Sequence, residues 1–167
     1  DASDGVISID HAFGGTRSAK ILGTSSDWTN VIKASVTASG DIAIQFRFWK
    51  ENASHFNVYH GNGSKYSILR YEADGDIIVD VTDTGVNCLE DQWDFAEYRN
   101  YDFSSGTFDV YYTGGDLAKS GALLSTGTSS TNVIQFYDRA SGVGNDTYID
   151  NFIVRNYRAT EPAFGAW

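Results

Sequence analysis

Cysteine is almost missing from this chain. Cys88 is the only one, so no disulfide can form within it. A domain of 167 residues can be stable without one. A buried thiol is the expected state of Cys88, because no Cys/His signature surrounds it to make it a nucleophile. Proline occurs once, as Pro162. Histidine occurs three times, as His11, His55 and His60, and no pair has the helical spacing of zinc ligands. Cations are scarce: 12 Lys and Arg face 22 Asp and Glu, for a net charge of −10. So few cations cannot neutralise much phosphate, which argues against nucleic acid and anionic membrane surfaces as partners. The acidic balance suits a soluble exterior protein, a neutral polysaccharide partner, or Ca²⁺. No apolar run reaches the ~18 residues of a membrane-spanning helix, so no membrane insertion is expected. A phosphate-cradling glycine loop ahead of a helix and a nucleophile elbow are missing too.

Aromatic residues are plentiful at 14%, with 10 Tyr, 10 Phe and 4 Trp. With 41% hydrophobic residues, the chain can bury a sizeable core, and it lacks the composition of a disordered segment. Alternation with a period of two dominates. In 41–50, Ile42, Ile44, Phe46 and Phe48 should face the core, and Ala43, Gln45, Arg47 and Trp49 should face out. In 55–60, Phe56 and Val58 should point in, and His55, Asn57 and Tyr59 out. Further strands are expected over 6–10, 18–22, 30–36, 66–71, 77–82, 93–101, 107–113, 132–137 and 148–157. Asp74-Gly75 is a hairpin signal. Leu117–Leu124 reads as a helical turn or a loop crossing. Ten or eleven short strands with turns every ~8–12 residues predict an all-β, two-sheet antiparallel jelly-roll sandwich over residues 1–158, with 159–167 a tail or linker. A start at Asp1 without Met is expected of a mature or excised chain. Sequons at Asn52, Asn62 and Asn145 agree weakly with export.

Four segments carry a resemblance: Gly14-Gly15-Thr16-Arg17-Ser18-Ala19-Lys20-Ile21, Gly40 through Phe48, Trp93 through Tyr112 with Gly106 at its bend, and Tyr148-Ile149-Asp150-Asn151-Phe152-Ile153-Val154-Arg155. In this order they resemble the concanavalin A-like, laminin-G-like jelly rolls of extracellular proteins. The likeness extends to repeated domains of archaeal and bacterial surface proteins, where a closing strand also leads into a segment like Glu161-Pro162-Ala163-Phe164. The resemblance implies an extracellular or cell-surface location. It also implies a structural Ca²⁺ joining the N-terminal segment to the last strand, with Asp150 as a ligand and Asp4 or Asp10 completing the shell. A backbone hydrogen bond or Arg17 would satisfy Asp150 equally well.

Lectins, adhesion domains, glycosidases and lyases share such folds, so function must be argued from the site. Paired catalytic carboxylates would be sought on one strand. The nearest candidates, Glu72, Asp74 and Asp76, fall at a hairpin turn and should splay into solvent. Gln45, Arg47, His55 and Tyr59 have residue types used by lyases, without a lyase's spacing. The chain is therefore expected not to be an enzyme.

If 41–50 and 55–60 are antiparallel neighbours, then Gln45, Arg47, Trp49, His55, Asn57 and Tyr59 share one face. Sugars stack C–H faces on aromatic rings and hydrogen-bond to amides and guanidinium groups. The first expectation is thus a non-catalytic carbohydrate-binding or adhesion module. The alternative is a structural subunit of an extracellular filament, sheath or coat. It would self-associate with identical subunits through exchange of strands or of the apolar Phe164–Trp167 tail.

Overall fold

The computed structural model describes residues 5–8, 10, 12–21, 30–38, 42–52, 54–61, 66–79, 81–102, 105–112, 116–123, 131–138 and 146–156. Asp4, His11, the sequons at Asn62 and Asn145, and the tail 159–167 lie outside them. Thirteen strands are present: β1 (Gly5–Ser8), β2 (Ser18–Ile21), β3 (Asn30–Ala38), β4 (Ile42–Lys50), β5 (Phe56–Gly61), β6 (Tyr66–Tyr71), β7 (Asp76–Val79), β8 (Thr82–Asn87), β9 (Trp93–Asp102), β10 (Thr107–Tyr112), β11 (Asp116–Leu123), β12 (Thr131–Asp138) and β13 (Thr147–Asn156). Among the described residues there is no helix.

The strands form two antiparallel sheets. One has seven strands in the order β1-β2-β13-β4-β9-β10-β11, and the other has six in the order β3-β12-β5-β6-β7-β8. The expected all-β sandwich is what forms. Two local expectations need correction. Residues 116–123 form a strand, β11, which pairs with β10. The strand expected over 77–82 ends at Val79, and Thr82–Asn87 form a separate edge strand, β8. Its residues are polar and largely exposed, so the apolar alternation that marks an inner strand is weak there.

The core forms where the inward sides of β4, β5, β9, β10 and β12 meet. Ile42, Ile44, Phe46 and Phe48 are buried there, as their alternation predicts. Phe46 is its centre, with ring centroids 5.0 Å from Phe136, 5.6 Å from Tyr98 and 5.9 Å from Phe48. Each such ring contributes about 2 kcal/mol or more by leaving water. Cys88 is buried and free, and burial pushes its thiol up to about 12. A thiol so seldom ionised is a poor nucleophile at neutral pH.

Asp74-Gly75 makes the β6–β7 hairpin. Gly75 has φ +90°, a conformation that L residues rarely adopt, and hydrogen bonds join Gly75 N–H to Glu72 O and Glu72 N–H to Asp76 O. The acids Glu72, Asp74 and Asp76 therefore flank a turn. In β13 the register with β4 skips between Asp150 and Ile153, at a bulge where Asn151 has φ +50°. Phe152 turns inward onto Phe136 at 5.8 Å, and Ile153 turns outward.

Candidate functional site: the two outer faces of the sandwich

The six residues expected on one face lie on two. β4 hydrogen-bonds to β13 and β9 in the seven-stranded sheet, whereas β5 hydrogen-bonds to β12 and β6 in the six-stranded sheet. Gln45, Arg47 and Trp49 thus point away from the core on one side of the sandwich, and His55, Asn57 and Tyr59 on the other. The link 51–55 crosses between sheets, so sequence neighbours are not sheet neighbours.

On the seven-stranded side, Trp49 sits opposite Trp93 of β9 and Tyr148 of β13. The two indoles meet edge to face at 6.1 Å, and Phe13 meets Trp93 at 5.8 Å. All three are half-buried. One step along, Arg47 lies between rings, its Cζ 4.5 Å from the centroid of Phe13 and 4.8 Å from that of Phe95. Burial lowers its pKa from the usual guanidinium value, partly opposed by Asp94. One step further is a polar network around Glu97. Gln45 Nε2 donates to Glu97 Oε1 at 3.0 Å, and Arg155 donates to Gln45 Oε1 at 3.2 Å and Glu97 Oε1 at 3.0 Å. Arg99 reaches Glu97 Oε2 at 3.6 Å and lies 3.6 Å over the Tyr111 ring. Gln45 faces outward, as its position in the alternation predicts, yet this network covers it to 5% exposure.

At the margin of this face, Lys20 pairs with Asp146 at 2.7 Å and Asp10 at 3.4 Å. Partial burial works against its charge, but Asp146 and Tyr148 together outweigh it and raise its pKa. Asp150 is satisfied by backbone: Oδ2 accepts from Phe13 N–H at 2.9 Å and Oδ1 from Asn151 N–H at 2.7 Å. This bond ties the 12–17 loop to β13 and sets Phe13 over Arg47. Among the described residues no three acids, His or Cys converge on a metal position. Asp150 thus rests on two N–H groups and Asp10 on Lys20, while Asp4, the third acid of the implied Ca²⁺ shell, lies outside the described residues.

On the six-stranded side the surroundings differ. His55 and Asn57 are buried, at 8% and 0% exposure, where alternation alone predicts solvent. Arg70 of β6 lies directly opposite Asn57. His55 Nδ1 lies 3.1 Å from Glu72 Oε2. Asn57 is the odd member: neither Nδ2 nor Oδ1 has a hydrogen-bond partner among the described residues. Tyr59 and Gln135 sit side by side one step along.

Sequence reasoning missed Trp93, Phe95, Glu97, Arg155 and Phe13. The alternation of 93–99 could have supplied the first three. Pairing them with β4, and Phe13 with Arg47, needed the topology.

No family model matches the sequence, and no curated protein does. Solved structures do match. An endo-β-1,4-glucuronan lyase from the fungus Trichoderma reesei aligns with TM-score 0.67 at 10% identity, over 94% of this chain and 90% of its own. A cellulose-induced protein, Cip1, aligns with TM-score 0.65 at 14% identity, over 94% and 88%. The galectin LEC-6 of Caenorhabditis elegans aligns with TM-score 0.50 at 9% identity, over 79% and 96%. The fold is a concanavalin A-like jelly roll. Its similarity to a lyase as well as to a galectin overturns the expectation that the chain is not an enzyme, because the same sandwich serves both kinds of protein.

Proposed function

We propose that this protein binds glycans through the outer face of its seven-stranded sheet, and that it does so outside the cell. The Trp49–Trp93 pair carries the reading. Two half-buried indoles meet edge to face on an outer sheet surface, continuous with Phe13 and next to a guanidinium. A pyranose offers an apolar C–H face to an indole and hydroxyls to Arg or amide groups. The fold relatives agree in kind, being a galectin, a protein induced by cellulose and a lyase of glucuronan. The acidic balance of −10 suits a soluble exterior protein and sits poorly with nucleic acid. The test is a glycan microarray followed by calorimetric titration of the best hits. Trp49→Ala and Trp93→Ala should each weaken binding about tenfold or more, the worth of one lost stacking contact. Their thermal transitions should remain cooperative. An array on which the parent protein binds nothing refutes the reading.

A second reading is favoured by Asn57, an amide with 0% exposure and no partner among the described residues for either polar atom. It lies between His55, held by Glu72, and Tyr59. On a uronate polymer this set suits β-elimination. His55 would take the proton beside the carboxylate, and Asn57 N–H groups would bond the carboxylate oxygens. The electron pair would form the new C=C bond as the glycosidic C–O bond breaks, and Tyr59 would protonate the departing oxygen. A ligand reaches Asn57 only when the side chains over it shift. Glucuronan incubated with the protein should then gain ultraviolet absorbance from unsaturated ends, and Asn57→Ala should remove that gain. Unchanged absorbance with the parent protein discards this second reading and leaves the first intact.

A further inference from the structure

We infer that the glycan taken by the seven-stranded face is an acidic one, and that Arg47 receives its carboxylate; the inference rests on the glycan-binding reading above. Three other cations of this face have carboxylate partners. Lys20 is held by Asp146 and Asp10, and Arg155 and Arg99 share Glu97. Arg47 differs. Among the described residues no carboxylate forms an ion pair with its guanidinium, which lies against Phe13 at 4.5 Å and Phe95 at 4.8 Å with the Asp94 charge acting only from further off. Its cross-strand neighbour Asp150 has turned both oxygens to backbone N–H groups.

Aromatic faces hold a cation but accept none of the in-plane hydrogen bonds of a guanidinium. Arg47 is thus a planar fork, oriented by two rings and partly stripped of water, with its N–H groups unfilled. A carboxylate fills such a fork with two parallel bonds, and a hydroxyl fills it with one weaker bond. The position suits a sugar acid. Arg47 and Trp49 are two residues apart on one side of β4, about 7 Å along the strand. That is about the reach from the middle of a pyranose stacked on Trp49 to a donor bonded to its C6 carboxylate. The lowered pKa of Arg47 reports the same missing solvation.

The test uses two oligosaccharides of equal length that differ only at C6: a cello-oligosaccharide and its β-1,4-glucuronan counterpart. The parent protein should bind the acidic one about tenfold more tightly, since charge-assisted bonds are roughly twice as strong as neutral ones. Arg47→Gln should erase that preference, bringing the affinities for the two oligosaccharides together. Arg47→Lys should restore only part of it, a point charge lacking the fork. Equal affinities in the parent, with both weakened by Trp93→Ala, overturn this inference and keep the glycan-binding reading. A preference that survives in Arg47→Gln overturns it as well. Binding of neither oligosaccharide, with an empty array, brings down both.

Discussion

β4 and β5 follow one another in the chain, lie in opposite sheets, and treat their buried polar residues in opposite ways. On β4, Gln45 is locked between Glu97 and Arg155, and fully buried Lys50 is ion-paired with Glu90. On β5, Asn57 points outward with no partner for its amide among the described residues, and His60 points into the core with Nε2 equally unmet. His60 packs on Tyr98 at 5.6 Å and against Phe108 at 4.8 Å, and its Nδ1 has only a 3.4 Å contact with Tyr101 Oη. Closed networks hold a surface in one arrangement, while an open one marks a strand whose polar groups cost stability. The lesson is that the aromatic face around β4 is prebuilt, and that β5 carries buried polar atoms without partners among the described residues.

The largest effect should come from breaking the β4 side. Glu97→Ala takes the shared carboxylate from Gln45, Arg155 and Arg99 at a site 2% exposed, and should cost about 3 kcal/mol in urea unfolding. A loss below about 1 kcal/mol would mean the network is ornamental. The next effect sharpens the β5 side. Burial holds His60 near a pKa of about 3 against its ordinary 6.5. Between those values the unfolded chain binds a proton that the native core refuses. Stability is therefore complete above about pH 6.5 and declines as pH falls, by about 2 kcal/mol at pH 5. His60→Phe should flatten that slope; a parent protein equally stable at pH 8 and pH 5 would contradict it. The smallest effect is a gain. Asn57→Leu replaces an unsatisfied amide with a group of similar size and should raise stability by about 1 kcal/mol. A loss instead would show that Asn57 has a bonding partner in solution.

The alternation in β4 made its inner row, Ile42 through Phe48, legible from sequence, because neighbouring side chains of a strand must point to opposite faces. The Asp74-Gly75 turn was legible for a similar local reason, the positive φ that glycine permits. The edge strand β8 was not, since Val86 is its only large apolar residue and its inward side, Thr84 and Val86, is only half-buried. The resemblance pointed to Asp150 as a metal ligand, while a backbone hydrogen bond was an equal way to satisfy an acid in an apolar strand. Its partner, Phe13 N–H, is 137 residues away and donates from a backbone that sequence cannot orient.

The sequence by itself determined that this protein is an all-β sandwich with a net acidic charge, and which side of its clearest inner strands meets the core. Those properties follow from residue type and a period of two, and need no knowledge of distant neighbours. Only the tertiary structure decided that Trp49 meets Trp93 and not Tyr59, that Phe13 and Phe95 enclose Arg47, and that His55 and Asn57 belong to another face. Strand order arises from long-range hydrogen-bonded pairing and the crossing of the chain between sheets, and neither leaves a local mark in the residues that it brings together.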